Sequence, residues 1–274
     1  MPKRETGLAY LVGRALELYR IARGSREYGS VTRFLFAQAA GRARRRPIET
    51  TLRLRGVRYR VAIPSRETFP FAEVYLGRVY ERFEDFVARP GWTVVDVGAN
   101  VGVFAVRQAQ MGARVVAFEP NPDCARRLLA TVSGNGLDRI TLVPRALGAE
   151  PGAATLVVGG STLAGSIVGT PEDGAVERFR VEVDTLDRVA ERLELGRIDL
   201  LKVDVEFAEV DVLRGATRTL PRVGRVVVEY HSPHLLARVR ELLTGHGFRC
   251  RGWYDFPDSP YGVAYFLRDG LEGA

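Results

Sequence analysis

Lysine is almost missing from this chain: of 40 Lys and Arg residues, only Lys3 and Lys202 are lysines. So complete a preference for Arg reads as a bias of base composition, and it singles out Lys202, which stands beside acids. Cysteine is equally scarce. Cys124 and Cys250 are the only two, with no CxxC pair, which excludes a disulfide framework and a cysteine-bound zinc and suits a reduced, cytoplasmic setting. No run of about 18 uncharged apolar residues occurs, so no transmembrane segment is expected. The first residues, MPKRETGLAYLVGRALELYR, carry Glu5 and Glu17 among their bases and lack the long uncharged core of a secretory leader. No internal repeat is evident.

What is present suits a soluble globular protein. The 274 residues are 46% hydrophobic and 27% charged, enough to bury a sizeable core. The net charge of +7 is unevenly spread: residues 1–60 hold 15 Lys and Arg against 4 Asp and Glu, and the remainder holds 25 against 29. Apolar spacing predicts amphipathic helices over 8–22 and 31–43, the second ending in RARRRP at Pro47. The alternating stretch 51–63, broken by Gly56, predicts a hairpin. Residues 1–63 thus read as a basic helical and hairpin extension. It could touch phosphates or a membrane surface, present a solvated Arg-rich face, or form a homodimer interface.

From Trp92 the rhythm changes. WTVVDV (92–97), ARVVAF (113–118), ITLVP (140–144), IDLLKVDV (198–205) and RVVVEY (225–230) have strand length, and helical stretches near 101–110, 122–133, 207–220 and 234–244 separate most of them. Repeated βα units imply a mostly parallel sheet covered by helices. FRCRGWY (248–254) and YGVAYFL (261–267) flank a turn with no helix between, as an antiparallel closing hairpin would. The expected fold is one α/β domain over residues 64–274, Rossmann-like, with residues 64–89 as its connecting segment.

The first βα turn reads DVGANVG, residues 96–102, and the second strand ends in Glu119, before Pro120 and Asn121. Glycines there allow a tight turn and close helix packing, and open α/β sheets bind ligands at these strand ends. The spacing is wrong for the three glycines of a dinucleotide fingerprint. An acid two residues before Gly98 repels a pyrophosphate and suits the cationic S-adenosylmethionine, and Glu119 can accept both hydroxyls of a ribose. A turn with glycines for geometry alone is the bland alternative.

DVGANVG, AFEPNP (117–122), DTLD (184–187) and KVDVEFAE (202–209) occur in that order. Over roughly residues 69–231 the chain resembles the FkbM family of S-adenosylmethionine-dependent methyltransferases, DTLD paired with KVDVE being its more specific part. The resemblance implies a seven-stranded methyltransferase sheet and O-methylation of small molecules, often sugars or polyketide-type metabolites. It places Asp96, Gly98, Asn100, Gly102 and Glu119 on the cofactor, with the loop around Arg145, Ala146 and Leu147 flanking the adenine; Ala99, Phe104, Pro120, Asn121 and Asp204 are taken with the same cofactor site. The family usually carries Gly where this chain has Phe207; a Gly there would serve a positive φ or leave space next to the methyl group, so Phe207 bears on the shape of the acceptor pocket and on activity.

On the acceptor side, Asp204, Glu206, Glu229 and His231 are expected to converge over one pocket. His231 is the favoured general base, since imidazole titrates near working pH; a hydrogen-bonded loop residue is the alternative. Glu206 and Glu229 would hold acceptor hydroxyls, and Lys202, Tyr80 and Phe207 are taken with the substrate, Lys202 also as a counter-ion. Glu209 reads as solvent-facing or as an acid at a helix N-terminus. Asp187 reads as a cap of the helix beginning near 185 or a substrate contact. His234 and His246 carry no pattern. A divalent metal is the less favoured option, D-x-E being a weak ligand pattern. Competing with small-molecule O-methylation are an RNA methyltransferase gripping phosphates with the extension, although no N-P-P-Y motif occurs, and a non-catalytic cofactor-binding module.

Overall fold

The computed structural model describes residues 48–54, 56–63, 69–159, 165–166, 177–256 and 259–270. The helices expected over 8–22 and 31–43, with the RARRRP cluster, lie outside them. By backbone contacts the chain divides into two compact units, Met1–Val79 and Tyr80–Ala274.

In the first unit, Ile48–Leu54 (β1) and Val57–Ile63 (β2) pair antiparallel, the hairpin expected around Gly56, whose φ of 87° is one a Gly adopts freely. Tyr59 of β2 stands edge-on to Phe71, with ring centroids 4.9 Å apart, and its hydroxyl lies 2.8 Å from that of Tyr75. Phe71 closes a short helical turn, Phe69–Phe71, that runs into a π-helical stretch, Ala72–Gly77.

The second unit runs Thr93–Val97 (β3), Val103–Gln110 (α1), Arg114–Phe118 (β4), Pro122–Asn135 (α2) and Ile140–Val143 (β5). It continues through Ala146–Leu147 (β6), Gly152–Val158 (β7), Gly165–Ser166 (β8), Glu177–Asp184 (β9), Leu186–Arg192 (α3) and Leu200–Val203 (β10). Glu209–Arg214 (α4), Arg225–Tyr230 (β11), Pro233–Gly245 (α5), Phe248–Asp255 (β12) and Gly262–Arg268 (β13) complete it. The main sheet has seven strands in the order β12-β13-β11-β10-β3-β4-β5. β11, β10, β3, β4 and β5 are parallel, and β13 enters antiparallel between β12 and β11. That is the expected mostly parallel sheet with a closing hairpin.

Central strands covered on both faces must be apolar throughout. Val94, Val95, Val97, Val115, Val116, Leu200, Leu201, Val203 and Val226–Val228 are accordingly all buried. Within β3 and β10 the buried exceptions are Asp96 and Lys202, which lie directly opposite each other in the register. Helix starts follow local chemistry. The Asn121 side chain accepts from the Asp123 N–H with Pro122 in the first turn, and Ser232 does the same for Leu235 ahead of Pro233.

Between Val143 and Ile198, where the sequence predicts no strands, the chain forms a second sheet ordered β6-β9-β7-β8. Ala146, Leu156, Val158 and Val181 give it a small core of its own. The helix expected over 207–220 is the shorter α4, followed by turns and a 3-10 segment, Leu220–Arg222. A Cβ on Gly215 would lie 2.0 Å from the Gly148 carbonyl oxygen, so the backbone leaves the helix against another backbone.

Candidate active site

The site collects at the carboxyl ends of β3, β4, β10 and β11, where adjacent parallel strands open a crevice. Its deepest element is Lys202. The ammonium lies 3.1 Å from Asp96 Oδ1 and 3.2 Å from Asp204 Oδ2 and donates to the Gly98 carbonyl oxygen at 2.9 Å. Burial alone would lower the Lys202 pKa, but Asp204 and Asp96 outweigh it and the net shift is upward, so the lysine stays charged. Burial pushes Asp96 up, and Lys202 offsets this only in part. The aromatic faces of Tyr80 and Phe104 close over the ammonium at 5.2 and 5.7 Å. Lys202 is therefore an internal counter-ion beneath the site. Asp96 is likewise fully buried beside it.

Above this core the β3 loop turns through Gly98, Asn100 and Gly102, all at positive φ. A Cβ on Gly98 would lie 1.7 Å from the Asp204 carbonyl oxygen, and one on Gly102 2.1 Å from Leu128 Cδ1. Both positions demand glycine on space as well as on φ. Glu119, at the end of β4, accepts the Asn100 N–H on Oε2 and the Asn121 N–H on Oε1, each at 2.7 Å. Each oxygen keeps a second acceptor position, which suits a vicinal diol. Burial pushes the Glu119 carboxyl up to about 7 against those two N–H bonds. Ala99, Phe104, Asn121, Ala146 and Leu147 are buried around this end, with Pro120 partly covered. Arg145 pairs with Glu182 at 2.7 Å.

The acceptor-side residues do converge. The Tyr80 hydroxyl lies 2.6 Å from Glu229 Oε2 and 3.1 Å from Asp204 Oδ2; its single proton serves one of the two at a time, Glu229 being the nearer. His231 is buried, with Nε2 3.3 Å from Glu206 Oε2 and 3.9 Å from Glu229 Oε1. Its Nδ1 lies 2.5 Å from Glu209 Oε1. Of the two readings of Glu209, the helix N-terminus holds and the solvent face does not: it sits fully buried in the first turn of α4, accepting the Phe207 N–H as well. The chain reverses just before it, at Glu206 (φ 48°) and Phe207 (φ 78°), and this turns Glu209 inward. The Gly usual at position 207 points to the positive φ found at Phe207, while the residue type of Glu206 gives no such signal. A fully buried carboxylate two residues beyond them has to find a partner, and His231, 22 residues on, is it.

Electrostatically the cluster is short of positive charge. Burial drives Glu206 up to about 7 and Glu229 up to about 8, Asp204 adding to both. Burial alone would depress His231; the Glu209 hydrogen bond and the charges of Glu206 and Glu229 carry it instead to about 9. Asp204, Glu229 and His231 also offer one ligand atom each within 4.8 Å of one another, a donor set that suits Mg²⁺ or Mn²⁺.

The DTLD motif turns out to be structural. Asp184 accepts the Thr185 N–H and gathers Arg145, Arg188 and Arg192, while Thr185 caps α3 by accepting the Arg188 N–H. Asp187 does not cap its own helix. It accepts the N–H groups of Thr219 at 2.7 Å and Arg218 at 3.0 Å, capping the turn after α4. His246 bonds the Leu242 carbonyl oxygen. The phosphate-gripping and dimer readings rest on residues outside those described.

A family model described as the methyltransferase FkbM domain matches residues 96–250, which contain every site residue named above except Tyr80. The 31-O-demethyl-FK506 methyltransferase FkbM of Streptomyces tacrolimicus is 33% identical over 213 residues, covering 66% of this chain and 81% of that protein. The hexuronic acid methyltransferase AglP of Haloferax volcanii is 32% identical over 139 residues, 50% of this chain and 55% of that one. The AMB antimetabolite synthetase AmbE of Pseudomonas aeruginosa is 32% identical over 223 residues, but there the match spans 66% of this chain and only 10% of the relative. With strand order, glycine-bound β3 loop, Glu119 and acid cluster in place, and the family match covering more than half its length, this chain belongs to the FkbM methyltransferase family.

Proposed function

We propose that the protein transfers a methyl group from S-adenosylmethionine to a hydroxyl of a small molecule, most simply a sugar or a sugar-bearing metabolite. The observation that carries this reading is the Glu209–His231 dyad, which aims an imidazole Nε2 into three carboxylates beside the β3 loop. Two relatives support it by name, one methylating an FK506 precursor at O31 and one a hexuronic acid.

When bound, S-adenosylmethionine supplies a methyl group already activated on a sulfonium. Little covalent help is therefore needed, and the chain must align an oxygen and remove its proton. Glu119 would accept the ribose hydroxyls, while Gly98 and Gly102 let the backbone approach closely. Glu229 and Asp204, both beside the Tyr80 hydroxyl, would accept hydroxyl hydrogen bonds from the acceptor and hold its oxygen in line. Glu209, accepting from Nδ1–H, leaves Nε2 as the proton acceptor. Without ligands His231 is cationic at neutral pH, since its pKa lies at about 9. A cation beside the same carboxylates cancels their support of the imidazolium and returns Nε2 to its basic form.

The test is calorimetry with S-adenosylhomocysteine followed by a methyl-transfer screen over glycosides. Saturable binding, with transfer lost about 10²-fold or more in His231→Ala, is expected; an absence of binding would sink the proposal. A second reading uses the 4.8 Å donor set to hold a divalent ion, which would lower the acceptor's pKa directly. Lys202, already 3.2 Å from Asp204, counts against it. Transfer that survives EDTA excludes that reading.

A further inference from the structure

The Glu206–Phe207 reversal turns Glu209 inward, and the side chain it leaves outside is a large aromatic one. Two consecutive side chains with a Cβ sit at φ 48° and 78°, a region such residues rarely adopt. Phe207 gains little burial in return: 41% of it is exposed. Its ring stands instead 5.3 Å from the His231 ring and edge-on to Tyr261 at 6.4 Å, while Tyr261, 37% exposed, lies 5.3 Å from the same imidazole. Among the described residues, only Leu129 and Trp253 are comparably exposed large hydrophobics. Phe207 and Tyr261 are the two that share an aromatic cluster with His231.

Strained backbone clusters at ligand clamps, and here it presents an exposed ring beside the buried imidazole. What these rings flank defines the ligand. His231 Nε2 is 3.3 Å from Glu206 and 3.9 Å from Glu229, so the same small surface offers aromatic faces to C–H groups and carboxylates to hydroxyl donors. A pyranose ring presents both at once, C–H bonds on its face and hydroxyls at its edge. A flat phenolic ring would stack but offers fewer hydroxyl donors in the ring plane than a pyranose carries at its edge, leaving more of the acids unpaired. We propose that Phe207 and Tyr261 form an acceptor clamp that recognises the C–H face of a pyranose and presents one ring hydroxyl to His231. The inference rests on the methyl-transfer reading above and narrows its substrate class to glycosides.

Saturation-transfer NMR on the full chain tests it, with methyl gluco-, manno-, galacto-, rhamno- and glucuronopyranosides as probes and a planar phenol as control. Spectra are taken with and without S-adenosylhomocysteine, whose own affinity is read by calorimetry. At least one pyranoside should receive saturation on its ring C–H protons. Phe207→Leu and Tyr261→Leu should each weaken that binding about tenfold, with S-adenosylhomocysteine affinity unchanged. Phe207→Gly should melt at a higher temperature than the parent, because the strain is released, and still lose the glycoside. A residue of purely structural importance would not give that pair of results. The clamp is overturned if no pyranoside binds, if the phenol binds in preference, or if both Leu variants bind as the parent does. Because the glycoside arm runs without S-adenosylhomocysteine as well, failure of the clamp and failure of the methyl-transfer reading are told apart.

Discussion

Lys202 is met from three sides by oxygen, from Asp96, Asp204 and the Gly98 carbonyl. Breaking a buried pair leaves an uncompensated charge, which costs far more than the pair contributes. Lys202→Met should therefore lower the unfolding free energy by about 3–5 kcal/mol in denaturant titrations. A variant as stable as the parent would show that water already reaches Asp96. Scarcity made this lysine conspicuous in the sequence, and its role as counter-ion could be read there because β3 and β10 are neighbouring parallel strands. Glu209 could not be read in the same way. Its partner His231 follows a different strand, and the backbone reversal that turns it inward occurs at residues whose types disfavour it. Asp187 was recognisable as a capping acid, but the turn it caps is 31 and 32 residues away, a distance no local pattern encodes.

At the scale of elements, the central strands were legible because continuous Val and Leu leave one interpretation, and half-exposed β12 and the β1–β2 pair were legible as hairpins closed by a short turn. The small sheet β6–β9 was missed although its longer strands alternate, as GAATLVV and ERFRVEVD show. Its half-exposed, Arg- and Glu-rich strands carry a weaker signal than the main sheet, and it forms by pairing segments far apart in sequence. Where a glycine is demanded, the reason differs between elements. Gly98 at the end of β3 meets the Asp204 carbonyl at 1.7 Å from an added Cβ, whereas Gly136, which ends α2 at φ 62°, meets nothing within 4 Å. Gly136→Ala should cost about 1–2 kcal/mol, the strain of a left-handed residue alone. Gly98→Ala should cost about 4 kcal/mol or more, since a backbone carbonyl cannot rotate aside. Thermal unfolding of the two variants side by side checks the difference; equal losses would mean that the strand ends part easily.

For the whole molecule, the acid cluster sets the response to pH. Glu119, Glu206 and Glu229 have folded pKa values of about 7, 7 and 8 against 4.5 for a free side chain. Groups raised in this way hold protons more tightly when folded, so the stability they contribute is full below about pH 4.5 and falls as pH rises toward 8. His231, raised from 6.5 to about 9, adds stability that is complete below its unfolded value and lost as pH climbs through 9. All four act in one direction. The ligand-free protein should lose thermal stability steadily from about pH 5 to 9, and Glu229→Gln should flatten that slope; a melting temperature that rises across this range would contradict the charge balance. The same balance bears on how a catalytic cycle ends. Asp96, Asp204, Glu206, Glu209 and Glu229 surround a single lysine and one histidine, an arrangement that attracts a cation. For the proposed donor, methyl transfer turns a sulfonium into a neutral thioether, so the reaction itself removes the charge that the acids attract. Release of the spent donor is then favoured by electrostatics, with no moving lid required.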